Sequence, residues 1–159
     1  LLASGSIVQQ ALLGAQVLEE YGCPVDIWSV TSFNELFRDA LNCDRWNRLH
    51  PADPPRESHL GSLLADEHGV FIGVSDYIKA YPESIARWIP GPFVTLGTDG
   101  FGLSESREGL REYFEIAPAH IALAALNALK DLGAASIEDV QDLIDSQQID
   151  TEKTNPALN

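Results

Sequence analysis

The run Val70-Phe71-Ile72-Gly73-Val74-Ser75 carries no charge and no residue that must face water. A strand of that kind is stable only when both of its faces are covered, which places it at the centre of a parallel sheet sandwiched by helices. The remaining apolar segments fit that frame. Leu1-Leu2-Ala3 reads as the end of a strand already in progress, Pro24 to Val30 is rich in strand formers, and Phe93-Val94-Thr95-Leu96 gives a further strand. Helical periodicity lies between them. Ile7, Val8, Ala11, Ala15 and Leu18 share one face opposite Gln9, Gln16 and Glu20, and Gly22 stands in the C-cap position. Strands alternating with helices imply an α/β, three-layer fold with a mostly parallel sheet and right-handed crossovers.

Capping signals set the helix starts. Ser32 three residues ahead of Glu35, and Ser136 three ahead of Asp139, form box-like N-caps; the first helix carries Leu36, Phe37 and Ala40 inward, the second Ile137, Val140, Leu143 and Ile144. Pro51, Pro54 and Pro55 force an ordered surface loop between Asn47 and Arg56, before a short helix from Ser58 to Asp66. Asp76 is placed to cap a helix running to about Trp88, with Ile78, Ile85 and Trp88 inward and Pro82 allowing a kink or a late start. Ser104 precedes a short helix with Glu105 and Glu108 in its first turn, and Pro118 starts a helix apolar nearly all round that Gly133 closes. The chain from Asp150 to Asn159 is polar and is expected to be loosely held, so that residues 1–159 read as one domain with a loose tail from 150.

Charge narrows the function. Ten basic residues against 24 acidic ones leave −14, which repels both nucleic acid and an anionic membrane surface. The segment from Leu1 to Leu18 is uncharged, but it lacks a basic flank and is broken by Ser4, Ser6, Gln9, Gln10 and Gln16, so it is neither a signal peptide nor a span. With no methionine in its 159 residues, the chain reads as a C-terminal fragment of a larger protein. Cys23 and Cys43 show no metal-ligand or disulfide spacing, which suits the cytoplasm.

Ligand sites in open α/β sheets lie at the carboxyl ends of strands, here Ser4-Gly5-Ser6, Thr31-Ser32, Ser75-Asp76 and the loop from Gly97 to Gly102. None carries a recognisable catalytic set. Ser4-Gly5-Ser6 lacks the GxGxxG spacing; Asp99-Gly100 with Asn127 is a poor match for a magnesium motif, since Thr98 replaces a glycine and Asn127 sits inside an apolar helix. His50, His59, His68 and His120 are unpaired, and nothing in the spacing brings Cys43 to His50. No catalytic, cofactor or metal residue is expected in this chain.

Three stretches taken together, Asp26-Ile27-Trp28-Ser29-Val30-Thr31-Ser32-Phe33, Arg45-Trp46-Asn47 with Leu49-His50-Pro51, and Leu96-Gly97-Thr98-Asp99-Gly100-Phe101-Gly102 with Ser104, Ser106 and Arg107, resemble the C-terminal domain of the homodimeric, thiamine-diphosphate-dependent pyruvate dehydrogenase decarboxylating components of bacteria. Ile149-Asp150 through Asn155-Pro156 is similar to that family's carboxyl terminus. The resemblance implies a transketolase C-terminal fold, with a mostly parallel five-stranded sheet carrying one antiparallel strand. It implies that thiamine diphosphate and magnesium are held by upstream domains that decarboxylate pyruvate and acetylate a lipoyl group. The partners it implies are the rest of the chain, a second subunit and a dihydrolipoyl acyltransferase component. This domain is then an assembly element, inert by itself. Gly97, Thr98, Asp99, Gly100, Phe101, Gly102, Ser104 and Arg107 are the candidate interdomain or dimer contacts, because they join flexible glycines to an aromatic and a helix start. A regulatory module holding a small anion or nucleotide at the strand ends is the alternative.

Overall fold

The computed structural model describes residues 1–158. In chain order they form β1 (Leu2–Ala3), α1 (Val8–Glu20), β2 (Trp28–Ser29), α2 (Phe33–Leu49), α3 (His59–Leu64), β3 (Phe71–Val74), α4 (Ala80–Glu83), β4 (Phe93–Leu96), α5 (Arg107–Tyr113), α6 (Pro118–Asp131) and α7 (Ile137–Ser146), with single 3₁₀ turns at Gly5–Ile7, Ala86–Trp88 and Pro156–Leu158. The strands lie in the order β2-β1-β3-β4. All three pairings are parallel, with Leu2 opposite both Trp28 and Gly73, and Ile72 opposite Val94.

Successive side chains on a strand point to opposite faces, and the two cores follow from that. Ala3, Ile72 and Val74 face α1, α6 and α7, where Leu18, Ile121 and Leu126 complete a buried cluster. Leu2 and Phe71 face the other way, onto Val30, Phe33, Leu60, Leu64 and Ile85. α1 and α6 approach closely at Gly14: a β-carbon there would stand 3.0 Å from the Pro118 carbonyl oxygen and 3.3 Å from Ile121.

The sheet departs from the expected five strands. Among the described residues it has four, and none is antiparallel. Little chain is left to make a fifth. Between α6 and α7 the chain turns at Gly133 (φ +74), Ala134 N–H bonds back to the Leu129 carbonyl, and Ser136 already caps α7. β2 is also shorter than the strand-rich stretch from Pro24 suggests. Trp28 N–H bonds to Leu1 O and Val30 N–H to Ala3 O, both at 2.8 Å, and the ladder ends where β1 does.

Capping is where local sequence and structure agree most closely. Ser136 and Asp139 form the full reciprocal box, Ser58 Oγ accepts from Gly61 N–H at 3.1 Å, and Ser32 Oγ accepts from Glu35 N–H at 3.2 Å. Glu35 completes only half a box, because its carboxylate turns to Arg38 at 2.9 Å. Two starts are displaced. Ser106, not Ser104, caps α5 by accepting from Gly109 N–H, which leaves Glu105 outside the first turn. α4 begins only at Ala80, since Pro82 is tolerated within a first turn but not deeper in a helix, and Asp76 caps nothing there. Ile85 is fully buried as expected, whereas Ile78 and Ile137 are 41% and 67% exposed.

The proline loop after α2 is held by its own side chains. Asn47 accepts from Arg56 N–H at 2.7 Å and donates to Arg56 O at 2.9 Å. The His50 ring stacks on Trp46 with centroids 3.6 Å apart, and the Arg56 guanidinium lies 3.4 Å from the Trp46 centroid. Arg45-Trp46-Asn47 and Leu49-His50-Pro51 therefore include a structural clasp.

Candidate functional site

Two consecutive loops are fastened to each other at the carboxyl edge of the sheet. Gly97 is buried against backbone, and a β-carbon there would stand 2.5 Å from Tyr77 O and 2.7 Å from Lys79 N. Only glycine admits that approach. Thr98 N–H donates to Tyr77 O at 2.9 Å, and its hydroxyl donates to Asp76 O at 3.2 Å. Asp99 accepts from Lys79 N–H at 3.2 Å and lies 3.6 Å from the Lys79 ammonium. Gly100, at φ +107, faces the carbonyl of Pro156.

That frame leaves apolar side chains in solvent. Phe101 is 79% exposed and Leu103 48%. On the loop clasped to Gly97 and Thr98, Tyr77 and Ile78 are also exposed, as is Tyr81 in the first turn of α4, with the two tyrosine rings edge to face at 5.1 Å. The eight contact residues expected from sequence thus divide. Gly97, Thr98, Asp99 and Gly100 build the frame, Phe101 is presented by it, Gly102 and Ser104 are exposed in the following segment, and Arg107 opens α5. Gly100, Gly102, Arg107 and Arg111 line a groove of about 480 Å³ beside Asp76. Sequence reading missed Tyr77, Ile78 and Tyr81. Ile78 matches an inward helical period, but no helix forms there before Ala80.

The structure gives little to a catalytic or anion-binding reading. Ser6 Oγ donates to the Asp76 carboxylate at 2.9 Å, so negative charge already sits where a phosphate would approach the first strand end. Asp99 is engaged by Lys79, while Asn127 is exposed on α6 and its amide oxygen accepts from Lys130 at 3.0 Å; the pair does not fit magnesium. No group of three His, Cys, Asp or Glu suited to a metal occurs among the described residues. Burial pushes both the Cys23 and Cys43 thiols up, away from the reactive thiolate. His50 is occupied by Trp46, its Nδ1 lying 3.0 Å from the Trp46 carbonyl. His120 is buried with Nδ1 unbonded, and burial pushes its pKa below the ordinary value although Glu112 lies 3.6 Å away. No helix among the described residues is long and apolar enough to cross a membrane.

The family of transketolase-like TK C-terminal domains matches residues 1–117. Curated relatives align almost end to end. The chain is 44% identical over 158 residues to a pyruvate dehydrogenase E1 component of Pseudomonas aeruginosa, covering 98% of this chain and 18% of the relative. It is 41% identical over 157 residues to that of Cupriavidus necator, with 98% and 18% covered. It is 41% identical over 160 residues to that of Escherichia coli, with 99% and 18% covered. The chain spans under a fifth of the length of these relatives.

Proposed function

Because this chain belongs to the family of transketolase-like C-terminal domains, we propose that it serves as the non-catalytic C-terminal unit of a cytoplasmic pyruvate dehydrogenase decarboxylating component and supports that enzyme's assembly. The observation that carries this is the end-to-end similarity to E1 components more than five times its length. In the longer protein, thiamine diphosphate and magnesium belong to other domains, which decarboxylate pyruvate and acetylate the lipoyl group of a dihydrolipoyl acyltransferase. The residues of this chain have another task. Gly97, Thr98, Asp99 and Gly100 hold a rigid backbone through Tyr77, Lys79 and Pro156, and that backbone presents Phe101 to the rest of its own chain or to a second subunit. A side chain held out on fixed backbone binds with little further ordering cost.

Pyruvate-dependent decarboxylation, with thiamine diphosphate and magnesium supplied, tests the division of labour. The full-length protein should turn over and the isolated chain should not. Turnover by the chain alone would overthrow the reading. Phe101→Ala in the full-length protein should loosen this contact, read as a lower melting temperature if the partner lies in the same subunit and as weaker dimerisation by sedimentation if it lies in the second; unchanged melting, assembly and activity would remove Phe101 from the contact.

A further inference from the structure

Leu158 and Phe101 are the two most exposed large apolar side chains among the described residues, at 82% and 79%. They are remote in sequence, yet their backbones meet. A β-carbon at Gly100 would collide with the Pro156 carbonyl and sit 3.6 Å from the Ala157 Cα. Pro156 itself is buried. The turn it begins is closed by Leu158 N–H on Asn155 O at 3.1 Å and by Ala157 N–H on the Asn155 side chain at 2.9 Å. Upstream, the Lys153 ammonium donates to the Glu112 carbonyl and lies 3.6 Å from the Glu115 carboxylate. The tail is thus anchored through its backbone while its last apolar side chain stays in water.

Single exposed apolar residues are ordinary, whereas two projecting from segments locked together make a surface suited to a partner. We propose that Phe101 and Leu158 form one bipartite docking surface, joined at Gly100 and Pro156, that packs against an apolar patch elsewhere in the same longer subunit. The length outside this chain argues for that occupant, since the chain spans only 18% of the relatives it matches. Charge describes the rim. Arg107 and Arg111 line the groove next to Gly100 together with Asp76 and form no ion pair among the described residues, which leaves both guanidinium groups free to meet acidic side chains at the edge of that patch. The inference rests on reading the chain as a C-terminal unit, and adds the tail to its contact surface.

Hydrogen exchange followed by mass spectrometry on the full-length protein tests it, comparing wild type with Phe101→Ala, Leu158→Ala and the double variant. Segments 97–103 and 153–158 should both be protected, and each single variant should speed exchange about tenfold in both segments at once, because the two halves share one partner. Phe101→Ala exposing the loop while the tail stays protected would overturn the bipartite surface and leave the loop reading standing. Unprotected segments in the wild type would overturn both. Protection that disappears on dilution to monomer would assign the surface to a second subunit and overturn the same-subunit partner.

Discussion

The α1–α6 contact and the carboxyl edge of the sheet are both built around glycine, to opposite ends. Gly14 lets two helices close on Pro118 and Ile121, and the apolar side chains around them, Leu18, Ile121 and Leu126, are removed from water. Gly97 and Gly100 let backbones close on Tyr77, Lys79 and Pro156, and the apolar side chains nearby, Tyr77, Phe101 and Leu158, remain outside. In the first region close packing is the stabilising event. In the second it spends stability only on holding a shape, which is the pattern expected where a surface is finished by a partner.

The contrast can be broken most forcefully from inside. Leu126→Ala, at a fully buried position between α6 and the sheet, should cost about 2–5 kcal/mol of stability in urea denaturation. A loss below about 1 kcal/mol would mean that the α1–α6 layer is looser than its burial implies. Gly97→Ala should cost about 1–3 kcal/mol, because the atoms it meets are backbone and cannot rotate away. Ser136→Ala should cost about 1 kcal/mol through the lost N-cap of α7, read from the shift in melting temperature.

Acid provides a further probe of the buried side. His120 has its folded pKa lowered from 6.5 by burial, so the unfolded chain takes up a proton that the folded chain refuses. Stability should be unaffected by this group above pH 6.5 and should fall as pH drops below it, down to the folded pKa. Replacing His120 with Gln should flatten that limb of a stability-versus-pH curve, and an unchanged limb would place the titration elsewhere. The smallest effect belongs to the outer region. Tyr81→Ser, on an exposed ring, should move the stability of the isolated chain by no more than about 0.5 kcal/mol while weakening assembly of the full-length protein. A large stability loss would mean that the aromatic pair is core and not surface.

Much of this was readable from local patterns. The central strand, the caps at Ser32 and Ser136, the proline start of α6 and the glycine at the end of α1 each depend on a few neighbouring residues and backbone geometry. The errors arose where one local signal competed with another or with the whole fold. Asp76 has the chemistry of a cap, but Pro82 delays the helix and Ser6 takes the carboxylate. Ile78 and Ile137 match an inward period, yet Ile78 lies before α4 begins and Ile137 is the first residue of α7, and both stay exposed. The resemblance pointed to loop 97–107 but could not separate the residues that build the frame from Phe101, which it presents.

The order of strands and helices, the buried character of the middle strand and the strongly acidic surface were properties of the amino-acid sequence alone, because each follows from side-chain periodicity, capping chemistry or a sum of charges. Which apolar residues stay in water was decided only by the tertiary structure. Tyr77, Phe101 and Leu158 come from three separate segments, and their exposure depends on backbone contacts at Gly97, Gly100 and Pro156 that form only once β3, β4 and the tail converge on one edge of the sheet.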